Sequence, residues 1–190
     1  MMFFAFFKIL IQIIKIDKKF FKNSKNFGEA SIYFAIIIIL LNSLISLIPN
    51  TAFIDYMSLN FELGKVEGPS LRFVIMFSFI LWFVKATYVF LVGVILFPSN
   101  NTKCNFRKTL ILVGFTHVPM FFNLLIINPS LLPFIIITYT WYNISLIVGI
   151  NIVYSYNNLF KSSLIVLAPF IILLIYFASI IIPGQSNIIS

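Results

Sequence analysis

Lys85 stands at the midpoint of an apolar run, residues 73–97. An ammonium inside hydrocarbon must be hydrogen-bonded, paired or led out to water, so its position is a functional question by default. His117 and Asn143 lie at comparable depth in two later apolar runs. At about 100° per residue, Ser78 and Tyr88 share a helical face with Lys85, and Thr140 and Asn151 share one with Asn143. Groups of this kind at one depth can build a polar interior, either as helix-packing contacts or as a small cavity open to a substrate. A cluster of Lys85, Tyr88, His117, Thr140 and Asn143 is therefore expected. The blander account is a set of ordinary interhelical hydrogen bonds, worth about 0.6 kcal/mol each, with Lys85 snorkelling. Catalysis has little to draw on. The acids Asp17, Glu29, Asp55, Glu62 and Glu67 all fall outside the apolar runs, and the sequence contains no HExxH, CxxC, GxSxG or phosphate-binding glycine loop. His117 is the sole histidine, so a histidine-based metal site is not expected, nor is a cofactor.

The elements that hold these residues follow from composition. Of 190 residues, 61% are hydrophobic and 9% charged, whereas a soluble domain carries roughly 25% charge. So few charges cannot cover a water-facing surface, and the apolar surplus must meet lipid. A crossing helix needs about 20 apolar residues, because hydrocarbon is about 30 Å thick. Five runs qualify: 30–48, 73–97, 109–127, 131–154 and 163–182. Asn128-Pro129-Ser130 divides the third from the fourth, and Pro183-Gly184 closes the fifth. The second run is tested by Lys85. A central lysine costs about 3 kcal/mol, but the run's 17 Leu, Ile, Phe and Val residues return about 5–10 kcal/mol, so insertion wins.

Charge placement sets an orientation. With five spans, ten Lys and Arg residues fall on the amino-terminal side and two, Lys65 and Arg72, on the other. That bias puts the amino terminus in the cytoplasm and the carboxyl terminus outside. Removing the second span gives six against seven and erases the bias. The net charge of +8 has the same origin, since six basic residues precede position 26; anionic headgroups, not nucleic acid, are the expected partner.

The amino-terminal segment is not read as a signal peptide, because Lys8 and Lys15 interrupt its apolar run. Lys8, Gln12, Lys15, Lys19 and Lys22 instead fall within an arc of about 80° of one helix. Such a helix would lie in the interface, phenylalanines in the acyl boundary and Lys8, Lys15, Lys19 and Lys22 at the headgroups; packing on the protein is the alternative. The 24-residue outer loop 49–72 is expected to be a solvated connection. Trp82 and Trp141 read as packing residues, and Pro119 as a kink with Thr116 near a freed carbonyl. Asn100-Asn101-Thr102 matches a glycosylation acceptor but lies on the expected inner side. Cys104 is a lone cysteine, a weak candidate for acylation.

Several residues carry a resemblance. Asn105-Phe106-Arg107-Lys108-Thr109-Leu110 is a basic turn entering a span. Val113-Gly114-Phe115-Thr116-His117-Val118-Pro119 has a Gly-aromatic-x-x-x-Pro spacing. Trp141-Tyr142 precedes Gly149-Ile150-Asn151, and Lys161 sits in a short turn into the last span. In these the chain resembles the short prokaryotic members of the YIP family (Ypt/Rab-interacting proteins) over about residues 100–180. Ser99 to Cys104 replaces that family's glycine-rich turn, and Asn151 stands where a basic residue is common. The resemblance implies five helices, a cytoplasmic amino terminus and no catalytic residues. In eukaryotes it implies Rab GTPase binding and membrane traffic; for prokaryotic members it implies no settled activity.

The combined expectation is an all-α, polytopic membrane helical bundle with five transmembrane helices. Residues 1–29 form a basic amphipathic segment, 30–182 the membrane domain and 183–190 an outer tail. The protein would be non-enzymatic, organising membrane or recruiting other membrane proteins or a second copy of itself. The alternative is a small transporter or channel component using a polar path around Lys85, His117 and Asn143. Its place would be as a multi-pass protein of the plasma membrane if prokaryotic.

Overall fold

The computed structural model describes residues 2–28, 31–51, 53–54, 68–99, 102, 104–126 and 128–185. Glu29, Ala30, most of the outer loop with Asp55, Glu62, Lys65 and Glu67, and Asn100, Asn101 and Lys103 lie outside the described residues, as does the 186–190 tail. Every regular element among the described residues is helical. Two amino-terminal helices, α1 (Met2–Ile14) and α2 (Lys18–Lys22), precede α3 (Ser31–Ile45), α4 (Leu71–Phe90), α5 (Phe106–Phe115), α6 (Phe134–Val153) and α7 (Leu159–Gln185). Five stretches are long and apolar enough to cross a bilayer: Ser31–Thr51, Leu71–Leu96, Phe106–Leu125, Phe134–Val153 and Leu159–Phe177.

Local chemistry sets the helix starts. The Ser70 hydroxyl accepts from the Phe73 N–H at 3.3 Å and opens α4; the Asn105 side chain accepts from the Lys108 N–H at 2.9 Å and opens α5. Asn128 accepts from the Ser130 N–H at 3.0 Å and fixes the turn between the third and fourth spans. Pro119 does more than kink its span. Its ring would meet the Phe115 carbonyl, so α5 stops at Phe115 and the chain continues as a 3-10 helix, Val118–Leu125. The Thr116 hydroxyl then donates to the Val113 carbonyl at 2.9 Å. In the second span a π-turn, Leu91–Leu96, follows α4. The last helix runs through Pro183 to Gln185, past the stop expected there; transmembrane helices carry proline where neighbours re-satisfy the backbone.

The third span lies at the centre, more than half of it inside the protein, and packs against the first, second and fourth. The second and fifth turn most of their surface outward: Phe73, Phe77, Ile80 and Phe83 on one, and 171–177 on the other, are exposed, which suits a lipid-facing surface. Close approach depends on small residues. A side chain at Gly114 would put its Cβ 2.7 Å from that of Ala35.

The amino-terminal segment differs from the single interfacial helix expected. Ile16 adopts a left-handed φ of 51° and ends α1, and the Asp17 carboxylate accepts from the Lys19 N–H at 2.8 Å to start α2. The lysine arc is therefore broken at residues 15–17. Both helices dock on the bundle, α1 against the Val118–Leu125 turn and α2 against α6. Ile13, Phe20 and Phe21 are fully buried, with Phe20 and Phe27 centred 5.7 and 6.2 Å from Phe115. The physical reason is a notch in the bundle: Gly149 has no side chain, and the Phe21 ring occupies the space beside it.

Candidate functional site

All five spans contribute to the lining of a cavity of about 730 Å³. Lys85 and Tyr88 reach it from α4, His117 from the turn after α5, and Tyr139 and Tyr142 from α6. Its remaining wall is largely aliphatic and aromatic, with Asn42 and Ser78 at its polar points. The Lys85 Nζ lies 4.1 Å from the Tyr142 ring centroid and 5.9 Å from that of Tyr139. His117 packs on Tyr142 at 4.7 Å between centroids, with the rings inclined at 55°.

The energetics of this arrangement are unbalanced. Every acid in the sequence lies outside the five spans, so no carboxylate of these helices neutralises Lys85. A desolvated ammonium over an aromatic face gains about 2 kcal/mol, while removing an ion from water costs several kcal/mol even after relaxation. The tyrosines offset part of that cost. His117 Nδ1 lies 2.6 Å from the Val113 carbonyl. A carbonyl can only accept, so Nδ1 carries the proton and Nε2 of the neutral ring is left as an acceptor. The Tyr88 hydroxyl donates to the Ile165 carbonyl at 3.0 Å and ties α4 to α7. The Tyr142 hydroxyl is enclosed without a hydrogen-bond partner.

Of the five residues expected to cluster, the structure brings together Lys85, Tyr88 and His117. It does not bring Asn143 or Thr140 to them. Asn143 donates to the Tyr139 carbonyl one turn back, at 3.0 Å, and its Oδ1 is buried without a partner. Thr140 is exposed. The α6 face that meets Lys85 is rotated by one residue, to Tyr139 and Tyr142. Other interhelical polar links escaped the sequence reading. Thr138 donates to the Asn123 side chain at 2.6 Å, and the Trp82 indole N–H donates to the Leu110 carbonyl at 3.0 Å. Trp141 stacks on Phe122 at 5.4 Å. Among the described residues no three His, Cys, Asp or Glu side chains converge to hold a metal ion.

A second cluster occupies the basic end of the bundle. Lys8, Lys15, Lys19 and Lys22 are all exposed. Lys22 lines a cleft of about 660 Å³ together with Lys18 and Lys108, which the helical arc did not single out, and with Asn151 and Asn157. Beside it the Thr109 hydroxyl bonds that of Tyr154 at 2.7 Å, and Thr102 donates to the Tyr154 carbonyl at 2.9 Å. Lys161 donates to the Pro98 carbonyl at 2.9 Å and lies 4.4 Å over the Tyr156 ring, while the Tyr156 hydroxyl donates to the Gly93 carbonyl within the π-turn. These bonds lock the ends of the second, fourth and fifth spans to one loop.

Cys104 is part of that lock, 3.6 Å from the Thr109 hydroxyl. Burial pushes its thiol up, against smaller opposing effects from the Thr109 hydrogen bond and the Lys108 charge. A raised pKa leaves less thiolate at neutral pH. Maleimide labelling of native protein at pH 7.5 should therefore run slower than in the unfolded chain and accelerate as pH rises. Equal rates in the two states at pH 7.5 would contradict this placement of the thiol.

The family model described as the Yip1 domain matches residues 11–180. The match takes in α2 and all five spans, well upstream of the region where individual motifs are legible. No curated protein and no solved structure matches the chain.

Proposed function

This chain belongs to the Yip1 domain family, and from that premise we propose that it works without catalysis, organising the membrane or recruiting membrane-protein partners from a basic end anchored on anionic headgroups. The observation that carries this reading is the exposure of Lys8, Lys15, Lys19 and Lys22 on a segment docked on the bundle through Ile13, Phe20 and Phe21. A segment held this way presents its lysines at fixed positions. We place that end in the cytoplasm, on the ten-to-two asymmetry of Lys and Arg. A second copy of the chain is the simplest protein partner, and the plasma membrane the site in a prokaryote. The transporter or channel alternative draws on Lys85, His117 and Asn143; the first two line the cavity and Asn143 does not, so the reading from the basic end is preferred.

The test uses charge removal, because deleting the segment would also remove Phe20 and Phe21 from the core. Full-length protein and a variant carrying Lys8→Gln, Lys15→Gln, Lys19→Gln and Lys22→Gln are reconstituted in discs of mixed neutral and anionic lipid. Each lysine near an anionic surface contributes about 1 kcal/mol, so the anionic enrichment of the lipid around the protein should fall by more than about ten-fold in the variant. Unchanged enrichment in a folded variant overturns the reading.

A further inference from the structure

The Lys85 cavity has a cation, apolar walls and a lateral opening. Lys85 is 14 residues into the Leu71–Leu96 span, about 20 Å along the helix from its start. It is therefore far from both headgroup layers. Its ammonium faces two tyrosine rings, and the carboxylates of the sequence are confined to segments outside the spans. On the rim Leu81, Val84 and Ile172 are exposed, so the cavity opens toward the acyl chains of the surrounding bilayer. Its volume, about 730 Å³, is in the range of small-molecule sites.

We propose that this cavity binds a single-chain carboxylate amphiphile, its carboxylate on Lys85 and its alkyl chain along the apolar wall. Three features select this class. The site offers one positive charge with no carboxylate partner among the described residues, which one carboxylate neutralises. The walls are mostly aliphatic and aromatic, so a hydrophilic anion would lose its water with no replacement. The depth excludes a phospholipid whose headgroup stays anchored at the interface, whereas a single-chain acid enters from the side and carries its charge with it. This inference is independent of the headgroup role of the basic end, and either stands without the other.

Binding is measured with the full chain in discs of neutral lipid, using a fluorescent long-chain polyene fatty acid and its methyl ester, with protein-free discs subtracted. Wild-type protein should bind the acid at least about ten-fold more tightly than the ester, because the charge-assisted bond needs the carboxylate. Lys85→Gln should lose that preference, and Lys85→Arg should keep it. Thr140→Val, at an exposed position off the cavity, should bind as wild type does, which separates the electrostatic role from a general effect of substitution in the bundle. Equal binding of acid and ester by wild-type protein, or an undiminished preference in a folded Lys85→Gln variant, overturns the proposal.

Discussion

Phe20→Ala is expected to destabilise the protein by about 3–5 kcal/mol, the cost of truncating a buried phenylalanine. Phe20 is 1% exposed and packs among Phe21, Phe27 and Phe115 at centroid distances of 5.3, 6.3 and 5.7 Å. The Asn26 side chain also donates to its carbonyl at 2.9 Å and holds the following turn against it. An interfacial helix would give a different result, because lipid chains refill the space of a lost ring and are themselves as apolar as the side chain. Phe4, 80% exposed on the same segment, supplies the control. Phe4→Ala should fall within about 0.5 kcal/mol of wild type, as surface changes do. Chemical unfolding in a mild detergent reads both. If the two variants lose the same stability, α1 and α2 do not dock on the bundle as described.

Gly114→Ala is the second large effect, a loss of about 1–3 kcal/mol from overpacking. The obstacle is not a flexible side chain that can swing away. The new methyl would lie 2.7 Å from the Ala35 Cβ and 3.3 Å from its Cα, so the first and third spans must part. The same methyl would lie 3.3 Å from the Trp82 indole nitrogen and disturb its bond to the Leu110 carbonyl. This geometry names its own rescue. Ala35→Gly removes the opposing methyl, and the helix-propensity change of about 1 kcal/mol at each site has opposite sign in the two substitutions. The double variant should return to near wild-type stability, a strongly non-additive pair. Additive losses in thermal unfolding would show that these two residues are not in contact.

How much of this was legible in the chain depends on which physical term decided each feature. The Lys85 run shows the favourable case: hydropathy summed over 25 residues outweighs one ammonium, and the structure has a helix there. Pro119 was legible as a disruption because the missing N–H and the ring clash are properties of the residue itself. The face of α6 lies one residue away from the expectation that Thr140 and Asn143, as polar groups, point inward. Asn143 instead meets a carbonyl of its own helix, a bond that needs no neighbour and carries no information about the inside. A better signal was present. Thr138, Tyr142, Ser145 and Gly149 recur at three- and four-residue steps, and all four are buried; in a membrane, small residues mark the packed face better than polar ones do.

The amino-terminal segment shows the complementary limit. Its lysine spacing implies one helix where the structure has two, and periodicity is the same whether the apolar face meets lipid or protein. The notch beside Gly149 and the ring of Phe115, which draw in Phe20 and Phe21, exist after α5 and α6 have packed. By itself the sequence determined membrane class, helical content and the number of spans, because transfer of residues from water to hydrocarbon adds up along the chain. The tertiary structure decided which faces meet, that two helices expected at the interface join the core, and that Lys85 looks onto tyrosines. Lipid and protein interior are equally apolar, so close packing rather than hydrophobicity makes that choice.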